Sequence, residues 1–597
     1  MNFAWDDDEL NPEQSAAVIQ NGNVFLIACP GSGKTRTLTY KIAYELSKIT
    51  THRDFVLAIT YTNRAADEIR ERVEDMGVDA SQLWIGTIHS FCLEWIIKPY
   101  YIYEPDLAQG YSLIDLYDRE KLLEELCLPY KLLKVTFHDC DFYFTPDGLH
   151  LACKNGSKVN AVKVVLTEYF KYLKKHRLID FELILWYAFD ILKNNQIAAK
   201  NLAGIFRNIL VDEYQDTKEL QYEIVSYILR KSSATNFFIV GDPNQAIYDS
   251  LGGYPIGLDD LKIKTGLDFH QMELSKNYRS SERVVSYFGN FNLYKTNIEA
   301  CGKDKGYQSI VSYDREVSKD KLVLEIARIV KHNIVELAIV PRQICIIAPW
   351  WVHLASMCRK LSAELPEYTF DGPGMVPFAR DVENIWYKIS RIALTEPSPG
   401  MYIRRMRWAK EILVDFENLG MHLDNFNNKD FLRTCNSIKL DEHDGISYLR
   451  DFFAALIAEM SIDLECYPTL MQHHQTFFES SEKRVAQLAK EGIAEASDIK
   501  YFRKLFENRT GITVSTIHGV KGAEFDAVIA YGLLEGMVPH FSDANGQESA
   551  QKMLYVVASR ARKNLFLISE VGRKRYGNEF YGPTRKLIDC NFRYDNF

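Results

Sequence analysis

The sequence predicts an α/β protein with two cores, each interrupted by a mainly helical insertion. Three observations predict it. An apolar run, Val24-Phe25-Leu26-Ile27, leads through a glycine turn into a helical pattern over 37–42. A second apolar run, Ile209-Leu210-Val211, ends on the paired carboxylates Asp212-Glu213, far along the chain. Strand signals return after Asn277, at Ile344–Ala348, at Ile512–Thr516 and over 564–568, with long helical stretches between them.

A chain of 597 residues is expected to hold several domains. The reading divides it into a first core (1–95 and 191–273) with a helical insertion (96–190), and a second core (274–384 and 506–597) with its own insertion (385–505). The stretches Phe181-Glu182-Leu183-Ile184-Leu185-Trp186-Tyr187 and Tyr448-Leu449-Arg450-Asp451-Phe452-Phe453 carry the helical pattern of the two insertions. The composition, 47% hydrophobic and 25% charged, is that of a soluble globular protein. A net charge of −9 departs from that of a small basic nucleic-acid module, but in a chain this large the charge along one groove decides binding. The eleven cysteines include no Cys-x-x-Cys pair and no zinc-ligand spacing, so they read as buried thiols in a reducing compartment. The acidic start, Met1 to Asp8, is no signal peptide, and no apolar stretch is long enough to span a bilayer. A cytoplasmic protein with no membrane partner is expected.

The glycine turn reads Ala28-Cys29-Pro30-Gly31-Ser32-Gly33-Lys34-Thr35-Arg36. Strand, glycine loop and helix together form a phosphate-binding loop: small residues let backbone N–H groups face phosphate oxygens, and the helix N-terminus adds partial positive charge. In that reading Lys34 reaches the β- and γ-phosphates of ATP, and the Thr35 hydroxyl ligates Mg²⁺. Ala28 stands where the motif expects its first glycine. In Ile209–Thr217 the acids follow a buried strand, where ligands sit in open α/β sheets. Asp212 is expected to hold the Mg²⁺ water shell and Glu213 to act as general base on the attacking water.

Further motifs fall in a fixed order, and over nearly the whole chain apart from the insertions the sequence resembles the superfamily 1A helicases of the UvrD/Rep/PcrA type. The resemblance implies two RecA-like P-loop cores and an ATP-dependent single-stranded DNA translocase and 3′–5′ DNA helicase, acting in DNA repair or phage defence. Leu10-Asn11-Pro12-Glu13-Gln14 is similar to the family's adenine-reading segment, which implies that Gln14 selects ATP. Thr60–Ala66 and Gly86–Phe91 are similar to single-strand contact segments, which assigns Tyr61, Asn63, Thr87 and His89 to DNA. Val240-Gly241-Asp242-Pro243-Asn244-Gln245-Ala246-Ile247-Tyr248 resembles the third motif, with Gln245 on the γ-phosphate and Tyr248 facing DNA.

Leu274-Ser275-Lys276-Asn277-Tyr278-Arg279-Ser280 opens the second core; by resemblance Tyr278 stacks on adenine and Arg279 is an arginine finger. Arg560, within 555–561, is the second finger. In the fifth motif, 514–525, Thr516 and His518 grip DNA while Gly522 and Glu524 approach the nucleotide. With Lys34 and Glu213 on one core and the fingers on the other, ATP is expected to draw the cores together.

The chain departs from the family in four places. Ser250-Leu251 stands for a Trp-Arg pair, and Ala348-Pro349-Trp350-Trp351 for a Tyr-Arg-x-Asn segment, where Trp350 and Trp351 are expected to be a buried aromatic pair. The acidic lead into the last motif is reduced to Glu548, and 385–505 lacks a Gly-Ile-Gly duplex-contact signature. These departures give weight to a DNA-activated motor subunit that serves a partner nuclease or another repair or defence protein. A nucleotide-gated DNA-binding module without turnover is a third reading. The expected substrate is single-stranded or 3′-tailed DNA.

Overall fold

The computed structural model describes residues 3–597 apart from 7, 115, 154, 233, 249–251, 351–353, 373–377, 379–383, 399–400, 422–425, 491–493, 504–505, 507–510, 542, 544 and 576–578. Ser250, Leu251 and Trp351 lie outside the described residues. The chain divides into two compact units, one of residues 1–113, 126–351 and 515–597, the other of 114–125 and 352–514.

The first unit holds two parallel sheets. In the first, β1 (Val24–Ala28), β2 (Phe55–Thr60), β3 (Leu83–Thr87), β4 (Phe206–Val211), β5 (Asn236–Gly241) and β6 (His270–Leu274) lie in the order β6-β1-β5-β4-β2-β3. All its pairings are parallel. Its inner strands are largely apolar runs because both faces are covered, whereas the edge strand β6, His270-Gln271-Met272-Glu273-Leu274, is mostly exposed. Leu26, Val56, Leu210 and Phe238 pack with Leu38 and Ile42 of α2 (Lys34–Lys48) and Ile69 of α3 (Asn63–Asp75). The order sets β1, β5 and β4 side by side, so the loops after Ala28, Val211 and Gly241 leave one edge of the sheet together.

The second sheet of this unit includes β7 (Val311–Asp314), β8 (Ile344–Ala348), β9 (Phe525–Ala530) and β10 (Ala561–Ile568), paired in parallel in the order β7-β10-β9-β8. Its core gathers Val528, Leu565 and Ile347 with Phe288 and Tyr555. Between β3 and β4 the unit is largely helical, with Gly156–His176 and Phe181–Asn194 the longest helices, and carries one antiparallel hairpin, Phe142–Thr145 with Gly148–Leu151.

The second unit is mainly helical. Helices Ile385–Ala393, Tyr402–Asn418, Gly445–Glu459 and Pro468–Lys490 bury Trp386, Phe416, Phe453 and Phe477 in one core. The indole N–H of Trp386 donates to the Leu470 carbonyl, which satisfies that buried donor. A short parallel pairing, Phe370 with Ile512 and Asp371 with Thr513, precedes the return of the chain to the first unit.

Candidate active site

The glycine loop is locked by its neighbours as much as by its own turn. Gly31 and Gly33 both take left-handed backbone angles, φ 68° and 81°. A Cβ on Gly31 would stand 2.5 Å from the Cβ of Arg279, and one on Gly33 would stand 2.6 Å from Nε2 of Gln14. Ser32 closes the turn by donating from Oγ to the Cys29 carbonyl at 2.7 Å. Gln14 sits in α1 (Pro12–Ile19), whose capping box with Asn11 fixes its side chain, and it donates to the Ser32 carbonyl at 2.8 Å. Cys29 is buried, and that burial pushes its thiol well up. Thr35 lies in the first turn of α2, and Arg36 beside it is exposed.

Three carboxylates and one ammonium meet where β1, β4 and β5 end. Lys34 Nζ lies 3.7 Å from Glu213 Oε2. Glu213 takes a left-handed backbone, φ 50°, which turns its side chain toward the glycine loop. Burial disfavours its charged form, but Lys34, then Lys521, outweigh that and hold the carboxyl below its ordinary range. Asp212, anchored by its N–H on the Ile59 carbonyl, is pushed up to about 7 by burial and then by the Glu213 charge. Asp242, fully buried, is raised by burial against the pull of Lys34. Asp242 Oδ2 accepts from Gln245 Nε2 at 2.7 Å.

Two further cations come from the segment just after Lys276–Asn277 and from the residue immediately before β10. Arg560 is 1% exposed and donates to Gln245 Oε1 at 2.8 Å and to the carbonyls of Val556 and Ala523. Burial, then repulsion from Arg279, weakens its hold on its proton. Arg279 pairs through Nε with Glu524 Oε2 at 2.6 Å and donates to the Ser559 carbonyl. Gly522, φ 84°, makes the turn that brings Glu524 there. The Tyr278 N–H donates to the Gly31 carbonyl, and its hydroxyl accepts from Asn11 at 2.7 Å, leaving the ring partly exposed beside the loop.

A second cluster lies at the aromatic end of the same unit. The rings of Tyr61 and Tyr248 stand 5.4 Å apart, and Tyr248 and His518 5.3 Å apart. His518 reaches the Ile247 carbonyl through Nε2, and Thr516 Oγ1 accepts from the Gly519 N–H. Asn63 is exposed at the start of α3. Thr87 and His89 sit together at the end of β3 with partners of their own: Thr87 caps the following turn on Ser90, and His89 meets Phe181 edge-on. Trp350 lies 5.6 Å from the His540 ring.

Four functional groups escaped the sequence reading although each lies inside a motif it used: Asp216, Asp242, Asn277 and Lys521. Asp216, Asp242 and Lys521 are charged side chains in the segments that follow buried strands, which is the signal that marks them, while Asn277 lies in the short strand Lys276–Asn277. Asn277 is fully buried and donates to the Pro30 carbonyl at 2.6 Å, fastening the start of the second core to the glycine loop.

The arrangement can bind a polyphosphate and hydrolyse it. Lys34 and Arg279 now rest on carboxylates that phosphate oxygens would displace. Among the described residues no cluster of three or more His, Cys, Asp or Glu could hold a metal by itself. Thr35 and Asp212 are hard oxygen donors at the phosphate end of the site, a set that suits Mg²⁺, which takes one or two protein oxygens together with phosphates.

Comparison with known proteins places these residues in a family frame. Residues 10–262 match the UvrD/REP helicase N-terminal domain, and 465–571 match the UvrD-like helicase C-terminal domain. The chain is 25% identical to the ATP-dependent DNA helicase Rep of Buchnera aphidicola subsp. Acyrthosiphon pisum (strain APS), over 95% of either protein. It is 25% identical to the ATP-dependent DNA helicase PcrA of Bacillus subtilis (strain 168), over 97% of this chain and 85% of the relative. It is 24% identical to the ATP-dependent DNA helicase UvrD1 of Mycobacterium leprae (strain TN), again over 97% and 85%. Among the described residues no helix is long and apolar enough to cross a membrane.

Proposed function

We propose that this chain, which belongs to the UvrD/Rep/PcrA-type DNA helicases, hydrolyses ATP to step along single-stranded DNA in the 3′–5′ direction. The observation that carries the reading is the bond from Arg560 to Gln245, because it sets a cation that immediately precedes β10 on the polar turn beside Glu213 and Lys34.

ATP entering the loop takes Lys34 from Glu213, and the freed carboxylate accepts a proton from the water that attacks the γ-phosphorus. Gln14 and Tyr278 are the residues we assign to reading and stacking the adenine. Arg279 leaves Glu524 for the γ-phosphate, and Arg560 stabilises the charge that develops as the bond to the β-phosphate oxygen breaks. The products are ADP and inorganic phosphate. Thr35 and Asp212 would hold Mg²⁺, which when bound neutralises phosphate charge. Their fit is supported by the buried Asp212 carboxylate at the end of β4, a hard oxygen donor on the same sheet edge as the glycine loop. Tyr61, Tyr248 and His518 offer the aromatic faces on which bases stack, with Asn63, Thr87, His89 and Thr516 as polar contacts to the strand.

DNA repair or phage defence is the setting we propose, on the family resemblance. ATPase assays with and without single-stranded DNA, followed by strand displacement on a 3′-tailed duplex, test the reading. Stimulated hydrolysis with displacement is expected. Stimulated hydrolysis without displacement would favour a motor that serves a partner nuclease. Hydrolysis indifferent to DNA would overturn the reading.

A further inference from the structure

Lys521 follows the short helix His518–Val520, and its ammonium reaches three segments at once. It lies 2.5 Å from Asp216 Oδ1, 2.5 Å from the main-chain carbonyl of Gln245, and 5.2 Å from the ring centre of Tyr248. Asp216 stands three residues past Glu213, and Gln245 is the residue that Arg560 grips. Tyr248 is the ring set between Tyr61 and His518. One cation therefore touches the hydrolytic turn, the phosphate-sensing turn and the strand-facing ring.

The ion pair is dry: Lys521 is 9% exposed and Asp216 1%. Among the described residues the second, buried oxygen of Asp216 has no hydrogen-bond partner, so Lys521 is the compensation this carboxylate depends on. A buried pair of this kind does not stretch gradually. If a base shifts Tyr248, or a phosphate shifts Gln245, Lys521 either follows and strands the Asp216 charge or stays with Asp216 and gives up that contact.

We infer that Lys521, held by Asp216, is the positioning residue that couples the strand site at Tyr248 to the hydrolytic site at Glu213. The inference rests on the reading of the chain as a DNA-driven ATPase. It assigns Lys521 no contact with ATP or with the reacting atoms.

Oligonucleotide dissociation constants, measured at one stated salt with and without a non-hydrolysable ATP analogue, test it. Their ratio is the coupling between the sites, and linkage requires the oligonucleotide to change analogue affinity by the same factor. Lys521→Met alone would strand the Asp216 charge. The paired variant Lys521→Met with Asp216→Asn removes both charges, and circular dichroism checks that it folds. In the pair the ratio should move toward one by roughly 5- to 150-fold, the usual range of coupling between two sites. Binary affinities should change far less than the ratio, which a merely structural role would not produce. A folded double variant that keeps the wild-type ratio overturns the inference. So does a wild-type ratio of one; hydrolysis stimulated by single strands in that same preparation would leave the ATPase reading standing.

Discussion

Arg560 donates from Nη2 to the side-chain oxygen of Gln245 at 2.8 Å, across 315 positions of sequence. Gln245 in turn donates to Asp242, so guanidinium, amide and carboxylate form one buried chain that ends beside Lys34. A charge-assisted hydrogen bond in so dry a place holds the guanidinium in a fixed direction before any nucleotide arrives, which suits a group needed most in the transition state.

Arg560→Ala should therefore lower the rate constant of hydrolysis on the order of 10³-fold, the low end for an arginine finger. The Michaelis constant for ATP should move much less, because the finger acts on charge that develops during bond breaking. Steady-state kinetics with saturating single-stranded DNA check this, with circular dichroism as the control for fold. A variant altered in its Michaelis constant alone would make Arg560 a ground-state ligand.

Glu213→Gln should cut hydrolysis at least ~10²-fold, the usual scale of a lost general base, while ATP stays bound. The amide keeps the shape of the carboxylate but cannot take up the proton of water. Lys34 also loses its partner at 3.7 Å, so ATP affinity should hold or rise. Single-turnover hydrolysis and a filter-binding measurement of ATP separate the two effects. Near-normal hydrolysis would place the base elsewhere.

Burial, then the nearby Lys218, pulls the His89 imidazole down to about 4 from its ordinary 6.5. Between those values the folded chain binds fewer protons than the unfolded chain, so stability rises with pH. The contribution is complete above 6.5 and is lost as pH falls toward 4. His89→Gln should leave stability near neutrality little changed and flatten the acid limb across that window. Urea midpoints collected at a series of pH values test it, and parallel curves for the two proteins would show that His89 does not carry the proton.

The strands, the glycine loop and the carboxylates that follow β4 were legible in the sequence because each is a local pattern: an apolar run and the turn that ends it. The hairpin 142–151 was not read, although Thr145-Pro146-Asp147-Gly148 carries a turn signal between two alternating runs, because the aromatic helices around it dominated the region. The pairings Lys34 with Glu213, Arg279 with Glu524 and Lys521 with Asp216 leave no mark on spacing. They arise when distant strand ends are brought to a common edge, and only the folded sheet order states which ends those are. The grouping of 114–125 with the second unit is equally invisible, since a short segment does not say which unit it packs with.

Tyr61 and Tyr248 stand 5.4 Å apart at ring centres, with their planes 31° from parallel, and Tyr61 is 49% exposed. Such a pair offers a base one stacking face while each ring supports the other. Tyr61→Ala and Tyr248→Ala should each weaken oligonucleotide binding by about 1–3 kcal/mol, the range for base–aromatic stacking. Because the rings interact, the double variant should fall short of the sum by roughly 0.5 kcal/mol or more, as contacting residues do in mutant cycles. Basal hydrolysis without DNA should persist in all three, since neither ring touches Lys34 or Glu213, while stimulation by single strands should be blunted. Fluorescence anisotropy at one stated salt gives the affinities, because strand binding falls steeply as salt rises. Unchanged affinity in both single variants would move the strand path away from β2 and β5. Strictly additive losses would keep the path but deny that the two rings form a single platform.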